Sequence, residues 1–288
     1  MSAGILPAEV TAGFQPANNK KIMEKELISL ALKAGDAIRA VYESGNWEQT
    51  EKEDRSPLTE ADRASHSILC EGLAKIETGV PILSEESEKV PWEIRKHWDD
   101  YFLVDPLDGT REFVRKVPEF AINIARLHKG RAILGLIHSP LTQITYFAQR
   151  NEGIFRWNHR SREQVIVENR PGVQVLLSHT DRTPDLDLLI SKLPDCSVLR
   201  MGSSLKFSAV AEGKADFYPR LKPSMEWDTA SGTILVEESG GLMCDLNGKR
   251  IEYNRQDMLN PPFYVMGKNF FNKFPDWERN LIIKERDH

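Results

Sequence analysis

The sequence predicts an α/β fold in which an N-terminal α+β portion, residues 22–160, precedes a C-terminal α/β portion, residues 161–288. Three observations predict this class. Apolar residues recur with a helical period near the N-terminus, hairpin-forming strands fill the middle, and short strands alternate with helices in the second half. Residues 1–21 are predicted to be a disordered extension, because they contain several Gly, Pro and Asn residues and lack the long apolar stretch of a secretory signal.

Two helices open the N-terminal portion. Apolar residues at three- and four-residue steps predict a helix over residues 22–43, which Ser44-Gly45-Asn46 ends. A second helix is predicted over residues 59–76. Thr59 and Asp62 have the spacing of a capping box at its start, in which each side chain bonds the backbone of the other residue.

Strands and helices then follow in an order that separates the two portions. Strands are predicted at 80–83, 101–104, 120–127, 132–138, 145–148 and 153–157. The charge-dense residues 158–164 mark the boundary. Beyond it, strands at 173–177, 197–200, 215–218 and 241–245 alternate with helices at 185–193, 203–212 and 227–239.

Composition narrows the class of function. The 288 residues carry a net charge of −5, whereas a general nucleic-acid binder usually shows a basic face. Cys70, Cys196 and Cys244 are far apart and odd in number, which argues against a disulfide framework or a zinc site and favours a reducing compartment. No apolar run is long enough for a transmembrane helix. We therefore expect a cytoplasmic protein without stable membrane insertion; peripheral contact with the inner membrane stays open.

Acidic residues follow two of the short predicted strands. Glu85 comes after the strand at 80–83, and Asp105 opens the string Asp105-Pro106-Leu107-Asp108-Gly109-Thr110 after the strand at 101–104. Ligand sites in α/β sheets gather at the carboxyl ends of strands, and close carboxylates repel unless a cation such as Mg²⁺ lies between them. Asp108-Gly109 alone could be a solvated turn, but the whole string favours a metal site.

A second acidic string runs from Glu226 to Gly232 and opens the predicted helix at 227–239. Asp228 has two interpretations. It is either an acid in the first turn of a helix, where the helix dipole favours it, or a further metal ligand supplied by the C-terminal portion. The residues alone leave both interpretations open.

Taken together, these strings resemble the lithium-sensitive, magnesium-dependent phosphatase superfamily that includes inositol monophosphatase. The motifs are Glu85-Glu86-Ser87, the string at 105–110, and Trp227-Asp228 running to Glu238-Ser239-Gly240-Gly241, in the order and approximate spacing of that superfamily. The resemblance covers residues 22 to 263. It implies a layered α-β-α-β-α sandwich with the active site between the two portions.

The resemblance also implies a role for each matching residue. Glu85, Asp105 and the carbonyl of Leu107 would bind one Mg²⁺, and Asp105, Asp108 and Asp228 a second, with two or three ions per site. Thr110 and Asp62 would orient and deprotonate the attacking water, although Asp62 has the helix cap as its alternative. Gly109 and Thr110 would begin a short helix whose N–H groups face the phosphate.

Further strings resemble one branch of the superfamily, the CysQ-type 3′(2′),5′-bisphosphate nucleotidases. They are residues 201–207, 211–216 and 218–220, together with Arg111-Glu112-Phe113 and Asn260-Pro261. Members of this branch remove the 3′-phosphate of adenosine 3′,5′-bisphosphate to give AMP and phosphate. Some also accept 3′-phosphoadenylyl sulfate, which stays open as a second substrate here.

Such substrates need a second anion site for the 5′-phosphate. The candidates in the sequence share positions at a predicted helix start or carry positive charge: Gly202, Ser203, Ser204, Lys206, Arg220 and His179. Each has an alternative. Ser203 could be a plain N-cap, Lys206 could lie on a solvated helix face, and His179 could be structural.

Two other functions remain possible at this point. One is an inositol or sugar monophosphatase with the same metal chemistry, and the other is a catalytically inactive nucleotide-binding homologue. The intact set Asp62, Glu85, Asp105, Asp108, Thr110 and Asp228 favours an enzyme. We expect a small-molecule substrate, no nucleic-acid partner, and either a monomer or a homodimer.

Overall fold

The computed structural model describes residues 17–47, 49–51, 57–158 and 161–277. Its helices are α1 (Ala17–Ser44), α2 (Glu60–Ile76), α3 (Trp92–Arg95), α4 (Thr110–Val114), α5 (Pro184–Ser191), α6 (Leu205–Ala211), α7 (Ala230–Glu238) and α8 (Lys268–Lys273). A small antiparallel ribbon joins β1 (Gln49–Glu51) and β2 (Pro57–Thr59) and leads into α2.

The first large sheet has seven strands in sequence order. They are β3 (Ile82–Ser84), β4 (Asp100–Asp108), β5 (Ala121–His128), β6 (Arg131–Ser139), β7 (Ile144–Gln149), β8 (Gly153–Trp157) and β9 (Arg162–Gln164). β3 and β4 are parallel, and the strands after β4 form an antiparallel meander. The predicted hairpin of β5 and β6 is confirmed, with its turn at Lys129-Gly130.

The second large sheet has five strands in the order β11-β10-β12-β14-β13. They are β10 (Val173–Leu177), β11 (Cys196–Arg200), β12 (Phe217–Arg220), β13 (Leu242–Asp245) and β14 (Phe263–Met266). β10 pairs in parallel with both β11 and β12, whereas β14 is antiparallel to β12 and β13. The carboxyl ends of β10, β11 and β12 therefore meet at one edge of this sheet.

Three hydrophobic clusters show how the layers are stacked. Helices α1 and α2 pack on one face of the first sheet, against residues such as Phe102 and Val104. The neighbouring positions Tyr101 and Leu103 point to the opposite face, where α6, α7 and the second sheet complete a second cluster. Helices α5 and α8 cover the far face of the second sheet. The order is α-β-α-β-α, so the predicted layered fold is confirmed.

Helix α7 approaches strand β6 so closely that position 135 of the strand has no room for a side chain. A Cβ built on Gly135 of β6 would lie 2.3 Å from Ile234 Cγ2 and 2.5 Å from the Ser231 carbonyl oxygen. Only glycine permits this approach of helix backbone to strand. The contact fixes α7, and the turn that precedes it, against the first sheet.

The N-terminal helix is longer than predicted. Helix α1 begins at Ala17 rather than at residue 22, so residues 17–21 are helical and not part of an extension. The apolar pattern that predicted the helix does not include these residues, because Asn18, Asn19 and the two lysines that follow are polar. Residues 1–16 lie outside the described part of the chain. Strand β9 pairs with β8, so the first sheet ends at Gln164, the last of the charge-dense residues 158–164.

Two predicted helices of the second half begin differently in the structure. The helix predicted from residue 203 begins at Leu205, because Ser203 has φ of 59°, a left-handed conformation that a helix cannot contain. The helix predicted at 227–239 is divided into a 3₁₀ turn, Glu226–Asp228, and α7. Strand β14 was not predicted.

Candidate active site

Glu85 and Asp105 lie side by side because the strands that lead into them are parallel neighbours. Ser84 of β3 is paired with Val104 of β4, and the Glu85 N–H donates to the Val104 carbonyl at 3.0 Å. Asp105 is only 1% exposed. The structure thus brings together two residues that the sequence predicted to be metal ligands.

The string after Asp105 forms a bulge within β4 rather than a turn after it. Asp105 pairs with Asn123 and Asp108 with Ala121, so β4 has one more residue than β5 between these pairs. Pro106 lacks an N–H and cannot complete a ladder there. The Ser65 hydroxyl of α2 donates to the Pro106 carbonyl at 2.7 Å and ties the bulge to the helix layer. The strand therefore continues past the predicted end at 104.

Asp228 lies in the 3₁₀ turn before α7, far along the chain from Glu85 and Asp105. The Met225 N–H donates to Asp228 Oδ2 at 2.8 Å and orients the carboxylate. One carboxylate oxygen each of Glu85, Asp105 and Asp228 lies within 4.8 Å of the other two. Asp228 can therefore be both an acid in a first helical turn and a candidate metal ligand, because the turn places its carboxylate in the cluster.

Burial and mutual repulsion disfavour ionisation of this cluster. Burial raises the pKa of Asp105 well above its usual value, and the carboxylates of Glu85, Asp108 and Asp228 raise it further. Burial, then Asp108 and Glu85, likewise raise the pKa of Asp228. Clustered carboxylates with this electrostatic cost are a fitting donor set for a hard divalent cation, which prefers oxygen ligands.

Asp108 lies beside the cluster and makes a different contact. Its Oδ2 accepts a hydrogen bond from the Ser204 N–H, across the cleft from β4. The Ser204 hydroxyl in turn donates to Asn123 Oδ1 at 2.7 Å. Asp108 thus links the bulge of the first sheet to the turn that precedes α6.

The two carboxylate oxygens of Asp62 have different partners: one bonds the helix cap and the other lies near Thr110. Its Oδ2 accepts from the Thr59 N–H at 2.7 Å and from the Thr59 hydroxyl at 2.6 Å, and this completes the predicted cap of α2. Its Oδ1 lies 3.2 Å from Thr110 Oγ1. The Thr110 hydroxyl is also 3.1 Å from the Leu107 carbonyl, and its single proton can serve one acceptor at a time.

Gly109 allows α4 to begin directly at the acids. Its φ of 93° is left-handed, and a Cβ there would lie 3.0 Å from the Glu119 carbonyl oxygen. Thr110 is the first residue of α4, as the sequence predicted. The first N–H groups of this short helix have no partner within the helix and are available to a ligand.

The acids form one end of a cleft of about 310 Å³. The lining also includes Ser178 after β10, Lys206 of α6, and Tyr218 and Arg220 of β12. Lys206 is 4% exposed, so the solvated-helix interpretation of this residue is wrong. Its Nζ donates to the carbonyls of Ser203 at 2.6 Å and Met201 at 3.2 Å.

The charge state of Lys206 reflects its burial. Burial lowers the pKa of Lys206 to about 8; Asp108 opposes this shift, and the nearby Arg220 adds to it. Arg220 Nη1 donates to Ser178 Oγ at 3.2 Å and to Asp181 Oδ2 at 3.3 Å. The cleft is therefore lined by both signs of charge; we call the part lined by Glu85, Asp105, Asp108 and Asp228 the acidic end and the part lined by Lys206 and Arg220 the basic end.

Gly202 and His179 contact a residue that the sequence analysis did not select. The Gly202 N–H donates to Glu119 Oε2. His179 Nε2 lies 2.6 Å from the same oxygen. The described lining of the cleft includes Ser203 and Ser204 but neither Gly202 nor His179. Ser203 does not cap α6, whose N-cap residue is Ser204.

A comparison with protein families decides the classification. The model of the family described as "Inositol monophosphatase family" matches residues 19–276, which include both large sheets and every acid of the cleft. The chain belongs to the inositol monophosphatase family.

Named relatives within the inositol monophosphatase family are similar along most of the chain. The "3′(2′),5′-bisphosphate nucleotidase CysQ" of Salmonella typhimurium is 39% identical over 249 residues, covering 84% of this chain and 99% of that protein. The protein of the same name from Escherichia coli strain K12 is 38% identical over 247 residues, with the same coverage of both chains.

Solved structures of the inositol monophosphatase family share the fold. The crystal structure of CysQ from Bacteroides thetaiotaomicron, titled a bacterial member of this family, has a TM-score of 0.75 and 33% identity. It covers 85% of this chain and 98% of that one. Within the residues that our structure describes, no helix has the length and apolar character needed to cross a bilayer.

Several residues that build the cleft of this family member were not selected from the sequence. Ser65 donates a hydrogen bond to the Pro106 carbonyl in the bulge. Asn123 accepts one from Ser204, and Asp181 accepts one from Arg220. The Asn260 side chain donates to the Met225 carbonyl at 2.7 Å and to Thr229 Oγ1 at 3.0 Å, on either side of Asp228. Only Asn260 had a signal, because Asn260-Pro261 belongs to the branch resemblance.

Proposed function

We propose that this chain is a magnesium-dependent 3′(2′),5′-bisphosphate nucleotidase that converts adenosine 3′,5′-bisphosphate to AMP and phosphate. The observation that carries the proposal is one cleft lined both by the acids Glu85, Asp105 and Asp228 and by the cations Lys206 and Arg220. The acids suit a phosphate that is to be hydrolysed, and the cations suit a phosphate that is only bound. The names of the CysQ relatives support the same activity.

The acidic end fits Mg²⁺ by its donor set. Glu85, Asp105, Asp108 and Asp228 would hold the ions, together with the Leu107 carbonyl. Bound divalent ions would neutralise the phosphate charge and lower the pKa of the attacking water. The raised pKa of Asp105 supports this assignment, because burial and like charges create a need for a counter-ion there.

Asp62 and Thr110 are proposed to handle the water. The Thr110 hydroxyl can donate its proton to Asp62 Oδ1 at 3.2 Å, which leaves the hydroxyl oxygen free to accept a hydrogen bond from the water. As the water oxygen attacks phosphorus, the water gives a proton to Thr110 Oγ1 while Thr110 gives its own proton to Asp62, which acts as the base. The P–O bond to the ribose breaks, and the departing ribose oxygen takes a proton from solvent water. The N–H groups of Gly109 and Thr110 would face the phosphate oxygens.

The basic end explains why a second anionic group would be selected. Lys206 and Arg220 are buried or partly buried cations on the wall of the cleft. An anion placed between them gains more than it would in water, because the surrounding dielectric constant is lower. The phosphosulfate of 3′-phosphoadenylyl sulfate places negative charge at the same position as a 5′-phosphate, so we propose it as a second substrate.

A phosphate-release assay tests the proposal. With Mg²⁺, the kcat/KM for adenosine 3′,5′-bisphosphate should exceed that for inositol 1-phosphate and for adenosine 3′-monophosphate, and chelation of Mg²⁺ should stop all release. Faster release from inositol 1-phosphate would identify an inositol monophosphatase. Nucleotide binding without release from any ester would identify an inactive homologue.

A further inference from the structure

Asp181 is a buried carboxylate between two cations, one at the end of β12 and one in the loop after it. It lies in the loop after β10, and only 4% of the residue is exposed. Its Oδ2 is 3.3 Å from Arg220 Nη1, and its Oδ1 is 3.1 Å from Lys222 Nζ. Burial opposes ionisation of Asp181, but Arg220 and Lys222 outweigh it and lower the pKa of the carboxyl. Asp181 is therefore an anion in direct contact with Arg220 of the basic end.

The loop that carries Asp181 is fixed by a third cation. Arg200, the last residue of β11, donates from Nη1 to the Ser178 carbonyl at 2.7 Å and to the Asp181 carbonyl at 3.1 Å. Lys222 Nζ also donates to the Thr180 carbonyl at 3.0 Å. Because β10, β11 and β12 end at the same edge, Arg200 and Lys222 lie within reach of this loop. The position of the Asp181 carboxylate is set by the fold.

The contacts of Arg220 leave one side of its guanidinium available. Nη1 donates to Ser178 Oγ and Asp181 Oδ2, and Nη2 donates to the Pro223 carbonyl at 3.3 Å. A guanidinium has five N–H donors. Nε and one N–H of Nη2 thus have no partner among the described residues. An adjacent pair of N–H groups suits bidentate contact with a phosphate.

Other anions also attract Arg220. The carboxylates of Asp228 and Asp108 are close enough to raise its pKa, along with Tyr218 and Asp181, against the effect of burial. An arginine without an anchor would move toward those acids and pair with them. Asp181 supplies the opposing attraction, which keeps the guanidinium at the wall of the cleft.

We propose that Asp181 is a positioning residue that anchors Arg220 Nη1 and turns the Nε/Nη2 edge toward the second phosphate, and so sets the preference for bisphosphates. The inference rests on the proposed function. It adds a residue that does not itself touch the substrate and assigns to it the selection between substrates with one and two phosphates.

The test measures the ratio of kcat/KM for adenosine 3′,5′-bisphosphate to kcat/KM for adenosine 3′-monophosphate. Asp181→Asn keeps the shape of the side chain but removes its charge. We expect this ratio to fall about 10-fold, mainly through a higher KM for the bisphosphate. A general structural defect would lower both kcat/KM values and leave the ratio unchanged. Asp185→Asn, the same change at an exposed position on α5, is the matched control and should keep the wild-type ratio.

A double-mutant cycle shows whether Asp181 acts through Arg220. Arg220→Met should lower the ratio by itself, and adding Asp181→Asn should then have no further effect on it. An equal further loss in the Arg220→Met background would overturn the inference, as would an unchanged ratio in Asp181→Asn. If Asp181→Asn does not fold, Asp181→Glu gives the same readout, with a ratio between those of the wild type and Arg220→Met.

The two proposals fail in different ways. If the wild-type protein shows no preference for the bisphosphate, the proposed function is wrong. If the wild type prefers the bisphosphate and Asp181→Asn keeps that preference, only the role of Asp181 is wrong.

Discussion

Asp62 and Thr110, 48 residues apart in the chain, are joined by a hydrogen bond of 3.2 Å through the carboxylate oxygen that the cap of α2 does not use. The helix cap therefore fixes the rotamer of the proposed base. Sequence reasoning treated the cap and the catalytic role as alternatives, and the geometry allows both at once.

Paired substitutions separate the two contacts of Asp62. Thr110→Val removes the proposed water contact but not the cap, and we expect a loss of kcat of about 10²–10⁴-fold with little change in stability. Asp62→Asn should cause a similar loss of kcat and also destabilise the fold by about 1 kcal/mol, because the cap loses its charged acceptor. Phosphate-release kinetics and urea unfolding measure the two effects. Equal unfolding free energies for both variants would contradict the dual role of Asp62.

Removal of one acid of the cluster should affect activity and metal-free stability in opposite directions. Asp228→Asn and Asp108→Asn should each weaken Mg²⁺ binding and lower kcat by more than about 100-fold. Asp228→Asn should also stabilise the metal-free protein, because it relieves repulsion among buried carboxylates. Calorimetric titration with Mg²⁺ and thermal unfolding in a chelator report these changes. A less stable metal-free Asp228→Asn protein would argue against the repulsion.

The raised pKa values of Asp105 and Asp228 predict how pH affects stability without metal. A carboxyl with a raised pKa in the folded state binds protons that the unfolded chain releases near pH 4. The metal-free fold should therefore lose stability as pH rises above about 4 through the raised values, and the increase in Tm on adding Mg²⁺ should grow over the same range. Thermal unfolding with and without Mg²⁺ between pH 5 and 8 measures this. A metal-induced increase that is larger at pH 5 would contradict it.

The pKa of Lys206 predicts a second pH effect that depends on the substrate. Above a pH of about 8, Lys206 loses the charge that would bind the second phosphate. The kcat/KM for adenosine 3′,5′-bisphosphate should fall through this pH, because kcat/KM reports pKa values of the free enzyme. The fall should be absent for adenosine 3′-monophosphate and in Lys206→Met, which should also have a lower preference for the bisphosphate. A parallel fall for both substrates would remove Lys206 from the basic end.

Gly135 tests the link between helix packing and the site. Gly135→Ala forces a Cβ against Ile234 and the Ser231 carbonyl, so we expect a destabilisation of about 1–3 kcal/mol. Since α7 follows the turn that holds Asp228, Mg²⁺ affinity should fall as well. Denaturant unfolding and Mg²⁺ titration are the measurements. Wild-type affinity in a destabilised variant would show that the turn is fixed independently of α7.

Local strings made most of the acidic end predictable. Glu85 and Asp105 each follow a short apolar strand, and one capping-box pair marked the start of α2, so composition and spacing indicated where the side chains would lie. The bulge between Asp105 and Asp108 was not predictable in this way, because it depends on the register of β4 against β5. Gly109 and Thr110 were correctly placed at the start of a helix.

Contacts between segments that are far apart in the chain were not predictable from local sequence patterns. Asp181 is an ordinary loop residue until β10 and β12 lie side by side and bring it to Arg220. Glu119 contacts His179 only because the loop that carries His179 packs against it in the folded protein. Strand β14 is short, and its partners β12 and β13 lie far upstream, so no local hairpin signal marked it.

The acids at the cleft belong to segments that meet only when both sheets and α7 are in place. Glu85 and Asp105 extend from the first sheet, whereas Asp228 precedes a helix packed between the sheets. A partly folded chain would present these carboxylates one at a time to water, where single carboxylates hold cations weakly. Tight cation binding should therefore require both sheets and α7 to be in place, so it would report whether a newly made chain has folded.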